Sequence, residues 1–537
     1  MQDKSEVKYV ATQALFLVSL LSLLGPASGL VLEAGLAWRF GASATMDAFR
    51  ISMVILLLAN QFFFGSLLPN VLIPVMEGIK QRDGDLKTWQ FSFTVAVILT
   101  ALTVMLAAYC FFYSENLIRF LGPGLSGQAF DDAIFLVKWF GCISVLILWS
   151  GVLSSSLNLY RVFWLTPTVR LIPNLFIVSF ILMLGREFDV YSLVIGFFFA
   201  HLCIVLLFVF VSIDTIKKLG LKVSACLRFR ASAELRSAGG NAIPICIMIL
   251  ISVLGDVVVS REFSLMDPGT VSIFGYSWKL LALIGLIPSG LLIIVLPYLS
   301  EAATRRDMPR LMYLMSRAVR FTVLVTVSTT GFVLIQSPLI VDLLLGHGEM
   351  EIESVVKVSE FFRIIVLSTT GAALYALTAK LFFSLGDTVT PMIVSFLSAA
   401  MIVFFAPLSA DIGGAVGVAW TLNVVAYIGF FLLFSCQIYR YGMASLSGEI
   451  VFVAKIVIIT SISSVIIYFL RSVWQPDYPS TVFNTSFYLL FMGVVYCASG
   501  LMLCLLLGLN EAREILIYMR WQLRKIRSGF HKQKYLE

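Results

Sequence analysis

The sequence predicts an all-α polytopic membrane protein that crosses the membrane about fourteen times. The chain of 537 residues is 59% hydrophobic and only 13% charged, whereas soluble domains are about 25% charged. Apolar runs of roughly 20 residues recur along the chain, and a helix of that length spans the hydrocarbon layer. These runs do not alternate polar and apolar residues, as the strands of a membrane barrel do.

Fourteen predicted helices, numbered here in chain order, follow one another. They cover residues 10–37, 47–77, 89–113, 132–158, 164–185, 189–213, 239–261, 270–300, 318–345, 355–384, 390–408, 414–437, 450–471 and 485–508. The first is expected to be retained, because its apolar run is too long for the hydrophobic region of a signal peptide. Lys and Arg concentrate in alternate loops, which predicts that both termini lie in the cytoplasm.

Short stretches repeat at nearly one separation. "LNLYRVFWLTP" (157–167) resembles "LFFSLGDTVTP" (381–391), and "FLGPG" (120–124) resembles "LLGHG" (344–348), each pair 224 residues apart. Two parallel six-helix repeats forming two lobes around a central cavity are therefore predicted. The expected parts are an N-terminal lobe (1–220), a basic cytoplasmic linker (221–237), a C-terminal lobe (238–445), two extra helices (446–510) and a basic cytoplasmic tail (511–537).

Charged residues in the first two predicted helices are candidates for function, because charge inside a membrane is costly. In "GPASG" (25–29) Pro26 predicts a break in helix 1, with Glu33 beyond it. Asp47 and Arg50 open helix 2 three residues apart, so they share a face and can pair. The alternative for Asp47 and Arg50 is capping of the helix start and solvation at the interface.

Three more candidates lie in the second predicted repeat. Asp256 is in helix 7, and it stands 223 residues after Glu33. A purely structural pair between Glu33 and Asp256 is the alternative to a functional role. Lys279 is in helix 8, where snorkelling to the interface is the alternative. Asp387, in "GDTVTP", is expected to be a turn and capping residue.

Several classes of function are disfavoured. The sequence contains no P-loop, no G-x-S-x-G and no H-E-x-x-H, so no enzyme activity and no cofactor are predicted. Eight scattered cysteines form no C-x-x-C, and only three histidines occur, so no metal site is predicted. The net charge of +7 is attributed to membrane topology, and no nucleic-acid partner is expected.

The chain resembles the MviN/MurJ family of lipid II flippases, within the superfamily of multidrug and oligosaccharidyl-lipid exporters. The resemblance rests on "RFGASATMDAF" (39–49), "FGSLLPNVLIPVMEG" (64–78), "IPSGLLIIVLPYLSEA" (287–302) and "LFFSLGDTVTPMIVS" (381–395). It implies a bacterial inner-membrane protein that flips a polyprenyl-diphosphate-linked peptidoglycan precursor. It also implies a cationic cavity on helices 1, 2 and 8, and a groove for the lipid tail on the last two helices.

The resemblance can be carried over residue by residue. Asp47 matches a family aspartate, Glu33 matches a helix 1 acid, and Lys279 stands where helix 8 has arginine. The helix 1 arginines fall on Pro26 and Leu32, and the helix 2 arginine falls on Asn60 or Gln61. A different polyprenyl-diphosphate saccharide, such as a polysaccharide repeat unit, therefore stays open as the cargo.

The leading hypothesis is a flippase for a polyprenyl-diphosphate-linked saccharide that works by alternating access. Arg50 and Lys279, with Asp47, would form the substrate-binding site, and Glu33 and Asp256 would balance the cavity charge or bind a coupling ion. Pro26 and Asp387 would serve gating or turns. The rivals are a cation-coupled multidrug antiporter and a non-transporting scaffold for envelope synthases. Membrane lipids and envelope synthases are the expected partners besides the anionic cargo.

Overall fold

The computed structural model describes residues 24–65, 67–229, 233–442, 446–474, 482–509, 511–514 and 517. The predicted start of helix 1 and most of the basic tail lie outside these residues. The helices are α1 (24–40), α2 (Ala44–Ser52), α3 (Val54–Asn60), α4 (Leu67–Asp83), α5 (Asp85–Phe112), α6 (Ser114–Leu121), α7 (Gly127–Leu159), α8 (Thr168–Phe188), α9 (Val190–Lys218), α10 (Val223–Cys226), α11 (Ala233–Ser264), α12 (Thr270–Ile284), α13 (Leu286–Thr304), α14 (Met308–Leu345), α15 (Ile352–Ile365), α16 (Ser368–Ser384), α17 (Val389–Tyr441), α18 (Leu446–Val473) and α19 (Val482–Leu506).

The predicted fold class is confirmed, since the described residues are helical and contain no strand. Among them, ten helices are long and apolar enough to cross a membrane, or up to twelve if two bent pairs, α12 with α13 and α15 with α16, each form one span. The 53 residues of α17 exceed one crossing, and non-helical Gly414 divides them where predicted helix 12 begins. The described residues therefore support ten to twelve spans, and the count of fourteen stays a prediction.

Several boundaries differ from those predicted. A single helix 2 was expected, but 44–83 contains α2, α3, a π-helical turn at Gln61–Gly65 and α4. The interruptions at Met53 and at the π-helical turn contain no proline that would signal them. Helix α14 begins at Met308, ten residues before its predicted start at 318. The prediction followed the apolar run, whereas the helix also includes Arg310 and Arg317 before that run.

The break predicted at Pro26 is wrong for the described residues. Helix α1 runs without interruption from 24 through "GPASG" to 40. The Ser28 hydroxyl donates to the Gly25 carbonyl at 2.7 Å.

The described residues form two compact units, and each is built around its own core. The first contains residues up to Leu280, with Leu344–Phe361 and Ser395–Thr421. Its aromatic centre joins α2, α7 and α9, where the rings of Phe49, Phe140 and Phe197 lie 5.4 to 6.2 Å apart. This packing fixes the position of α2 against α7 and α9. The predicted boundaries of the two sequence repeats remain a prediction.

The repeated stretches "FLGPG" and "LLGHG" both end on a close backbone contact within the first unit. A Cβ on Gly124 would stand 1.7 Å from the carbonyl oxygen of Ser264, and one on Gly348 would stand 2.1 Å from that of Trp38. Only glycine fits at either position. Each contact joins one predicted repeat to the other.

The second unit contains a break between α15 and α16 whose backbone is satisfied by side chains. Asn423 Nδ2 donates to the Ile364 carbonyl at 2.8 Å, and the Tyr427 hydroxyl donates to the Leu367 carbonyl at 2.9 Å. Both donors belong to α17. A broken helix is tolerated in a membrane when neighbours satisfy the freed carbonyls in this way.

An ion network in the same unit holds α18 and the residues after α19 against α14. Arg320 donates from Nε to Glu449 at 3.1 Å and from Nη1 to Glu511 at 3.3 Å. The Ser316 hydroxyl donates to Glu449 at 2.5 Å. Since Glu449 and Glu511 are buried, their charges depend on Arg320 for compensation.

We expect Glu449→Gln to lower the thermal unfolding temperature in detergent micelles. The substitution removes a charge-assisted contact and leaves Arg320 less compensated, a loss of about 2 kcal/mol. The control is Glu353→Gln, which removes an exposed pair with Lys357 and should leave the unfolding temperature unchanged. Equal unfolding temperatures for Glu449→Gln and the parent would show that the network adds no stability.

Candidate functional site

Three charged side chains meet inside the first compact unit. The Arg50 guanidinium donates to both carboxylate oxygens of Glu33, at 3.2 Å from Nη1 to Oε1 and in closer contact from Nη2 to Oε2. Lys279 Nζ lies 3.7 Å from Glu33 Oε1. The side chains of Glu33 and Arg50 are 4% and 11% exposed, whereas that of Lys279 is 51% exposed. Two cations therefore share one carboxylate, and only one of the cations is accessible.

Three separate helices bring these groups together: α1 carries Glu33, the last turn of α2 carries Arg50, and α12 carries Lys279. The guanidinium of Arg50 also lies over the ring of Tyr276, 4.8 Å from its centroid. Tyr276 is fully buried, and its hydroxyl donates to the Gly41 carbonyl at 2.9 Å. Arg50 is thus held by an ion pair on one side and an aromatic face on the other.

Asp47 caps a different helix from its own. Its Oδ2 accepts from the Gly269 N–H at 2.6 Å, and its Oδ1 accepts from the Ser272 N–H at 2.7 Å and the Ser272 hydroxyl at 2.5 Å. These donors lie at the N-terminus of α12, where free N–H groups and the helix dipole favour a negative charge. Because Asp47 is 3% exposed and both its oxygens are occupied, its geometry is that of a link between α2 and α12 and does not suit the expected contact with substrate.

Asp256 does not join the cluster. It is exposed on α11, and no hydrogen bond or ion pair involves its side chain among the described residues. The alternative of a structural pair between Glu33 and Asp256 is not found, because the Glu33 carboxylate contacts Arg50 and Lys279. Glu33 and Asp256 occupy corresponding positions in the two predicted repeats, but this correspondence does not bring their side chains into contact.

Asp387 lies in the turn before α17, within the second unit. Its carboxylate accepts from the N–H groups of Val389 and Thr390 at 3.1 and 3.0 Å, and from Arg440 at 2.5 Å. The Thr390 N–H and hydroxyl, with Arg440, hold the pKa of Asp387 below its usual value. These contacts describe a helix cap, and none of them indicates a gate.

Sequence reasoning missed Ser272 and Tyr276 as supports of the cluster. Ser272, Tyr276 and Lys279 follow the spacing i, i+4 and i+7, so they share one face of α12. That pattern was visible in the sequence as a polar stripe on an apolar helix. Its partners on α1 and α2 were not visible, because the contacts join residues more than 220 positions apart.

We expect Asp47→Ala to lower the thermal unfolding temperature, because two backbone N–H groups of α12 lose their acceptor. The cost should be about 2 kcal/mol, and Asp47→Asn should fall between Ala and the parent. Asp131→Ala, which removes an exposed carboxylate on α7, is the control. An Asp47→Ala protein as stable as its parent would contradict the capping role.

Comparison of the sequence with known proteins finds a matching family and several relatives. The family described as "Lipid II flippase MurJ" matches residues 36–489. A probable lipid II flippase MurJ of Rickettsia prowazekii is 21% identical over 459 residues, covering 84% of this chain and 88% of the relative. Another from Treponema pallidum is 22% identical over 422 residues, covering 77% and 79%.

Comparison with solved structures finds chains of similar fold. A lipid II flippase MurJ in an inward closed conformation matches with a TM-score of 0.77 at 19% identity, covering 92% of this chain and 99% of that one. An inward-facing multidrug resistance transporter of the MATE family matches with a TM-score of 0.65 at 16% identity, covering 79% and 98%. At these identities the likeness concerns the fold alone.

Proposed function

Because the chain belongs to the lipid II flippase MurJ family, we propose that it flips a polyprenyl-diphosphate-linked saccharide between membrane leaflets. The family and the apolar helices make it a multi-pass protein of the bacterial inner membrane. The cargo in this proposal is lipid II or a saccharide repeat unit on the same kind of carrier. The step moves a lipid and makes or breaks no covalent bond.

One observation carries the proposal for the site: the half-exposed ammonium of Lys279 stands beside a carboxylate that Arg50 already neutralises. Arg50 makes two hydrogen bonds with Glu33, whereas Lys279 approaches it only at 3.7 Å. The Lys279 ammonium is therefore less tightly paired than Arg50 and is accessible to a ligand. Phosphate groups are bound by such point charges.

The diphosphate would change the balance of the cluster. When the diphosphate binds Lys279, the ammonium of that lysine moves away from Glu33. Glu33 and Arg50 then remain as a neutral buried pair. A ligand shifts a transporter between states only by binding one state more tightly. We place that difference at Lys279, because α12 is also the helix whose start is held by Asp47. Movement of the lysine and release of the cap would then involve the same helix.

Asp256 is the group that we assign to charge balance or a coupling cation. Its exposed carboxylate has no protein partner among the described residues, unlike Glu33. That feature suits the rival antiporter as well, and the family membership favours the flippase. The charge of Glu33 is already compensated by Arg50 and Lys279, which makes it a weaker candidate for a coupling cation. Envelope synthases remain proposed partners, and no described surface residue singles one out.

We expect Lys279→Ala to lower flipping of a fluorescent polyprenyl-diphosphate saccharide in proteoliposomes by about tenfold or more, because a charge-assisted contact is lost. Lys279→Arg keeps the charge and should retain flipping. The assay is the loss of fluorescence when a membrane-impermeant reductant is added to the outer leaflet.

Two further variants serve as controls for the flipping measured with Lys279→Ala. Lys138→Ala removes a lysine that lies over Phe111 on α5, outside the cluster, and should flip at the parental rate. Glu33→Gln combined with Arg50→Gln removes the neutral pair together, and Lys279 should remain essential in that background. Parental flipping by Lys279→Ala would overturn the assignment of the lysine.

We also propose that both termini face the cytoplasm, following the distribution of Lys and Arg in the loops. A green fluorescent protein fused to the C-terminus should fluoresce, and alkaline phosphatase fused there should be inactive. Alkaline phosphatase fused after Gly413, at the break within α17, should be active. The reverse pattern would invert the topology.

A further inference from the structure

We propose that Arg170 on α8 is a second diphosphate-binding residue, which receives the anionic head group before it reaches Lys279. This inference rests on the proposed function and adds a residue that the sequence did not single out. In the sequence Arg170 resembles one more cytoplasmic cation near a predicted helix start. Its surroundings in the structure are different from those of the other cations.

Arg170 faces α1 rather than the apolar exterior of its own helix. Its Cβ and Cδ lie 3.5 and 3.9 Å from the point where a Cβ on Gly25 would stand. One turn further along α8, Asn174 Nδ2 donates to the Ser28 hydroxyl at 3.0 Å, which places the same face against α1. The exposed apolar residues Leu175, Leu182 and Met183 lie roughly 120° or more around the helix from Arg170.

Arg170 is nevertheless exposed and has no ion pair or side-chain hydrogen bond within the described parts of the chain. Three other cations of the predicted cytoplasmic side are paired with acids, whereas Arg161 has no ion pair among the described residues either. Lys87 lies 2.7 Å from Asp83, Arg82 lies 2.5 Å from Glu234, and Lys218 lies 2.7 Å from Asp214. What distinguishes Arg170 is that its unpaired guanidinium belongs to a side chain lying against α1, and such a group can bind an anion.

The position of Arg170 relative to the cluster fits a relay. Gly25 and Glu33 are eight residues apart on α1, which is about 12 Å along the helix axis and roughly 80° around it. Arg170 therefore stands next to the face of α1 that carries Glu33, nearer the predicted cytoplasmic end. A head group that moves along α1 from that end would meet Arg170 first and Lys279 second.

The chemistry of the group selects the ligand. A guanidinium presents paired N–H donors that match phosphate oxygens, which makes it a better first contact for a diphosphate than an ammonium. An anionic phospholipid head group offers the same phosphate chemistry. We commit to the cargo, because Arg170 faces α1 and the lipid-facing residues of α8 lie on another side.

The test compares Arg170→Gln, Arg170→Lys and the control Arg161→Gln. Arg161 is an exposed cation in the turn that precedes α8, so its substitution removes the same charge without altering the face toward α1. Binding of undecaprenyl diphosphate to each purified protein, in micelles free of phospholipid, is measured by titration calorimetry. We expect Arg170→Gln to raise the Kd for the diphosphate by about tenfold. Arg170→Lys should give an intermediate Kd, and Arg161→Gln should leave the Kd unchanged.

Flipping in proteoliposomes supplies a second readout. Arg170→Gln should raise the substrate concentration for half-maximal flipping and leave the maximal rate nearly unchanged, since the relay acts on capture. Unchanged binding by Arg170→Gln, equal weakening by Arg161→Gln, or an effect that appears only when vesicles contain phosphatidylglycerol would each overturn the inference. Failure of the parent protein to bind the diphosphate would overturn the proposed function as well, and that outcome is distinct from the first three. Size-exclusion chromatography of Arg170→Lys checks that the position tolerates substitution.

Discussion

The site depends on how one buried guanidinium is neutralised. Arg50 is 11% exposed, and a cation held at that depth is costly unless an anion and further contacts compensate it. Glu33 supplies both carboxylate oxygens, and the ring of Tyr276 covers the guanidinium face. This arrangement uses up the acid of α1, so Lys279 is left with a distant partner and a surplus of charge. Lys279 stays accessible because the carboxylate beside it already accepts two hydrogen bonds from Arg50.

Much of the fold could be predicted from the sequence, because membrane spans leave a strong local signal. Apolar length alone predicted the spans, and "GDTVTP" predicted the turn at Asp387. Charge inside apolar runs also identified Glu33, Arg50 and Lys279 correctly as members of one cluster. The interruption of helix 2 at Met53 was not predicted, since neither glycine nor proline signals it.

The partners of individual charges were harder to predict than their presence. Asp47 was expected to face the cargo or the start of its own helix, but it caps α12, which lies more than 220 residues further along the chain. The contacts of Glu33 with Arg50 and Lys279 were likewise not specified by the sequence, and its role in charge balance stays a prediction. Such pairings depend on which helices become neighbours, and periodicity within one helix carries no information about that. Arg170 illustrates the same limit, because its relation to Gly25 exists only between helices.

Three of the arginines that the family resemblance implies are replaced in this chain, by Pro26, Leu32 and Asn60 or Gln61. Lys279 keeps a cation where helix 8 has arginine, and the added Arg50 is paired with Glu33. A diphosphate requires donors at a suitable separation and does not require that they come from particular helices. The family membership and the unusual placement of charge are therefore compatible.

The break between α15 and α16 has a consequence for how this region can move. Its freed carbonyls accept hydrogen bonds from Asn423 and Tyr427 on α17, so bending there does not turn bare peptide groups toward hydrocarbon. The joint and its two donors must swing together, since separating them would cost both bonds at once. The part of α17 after Gly414 therefore braces the break, and we expect it to move together with α15 and α16 where they meet.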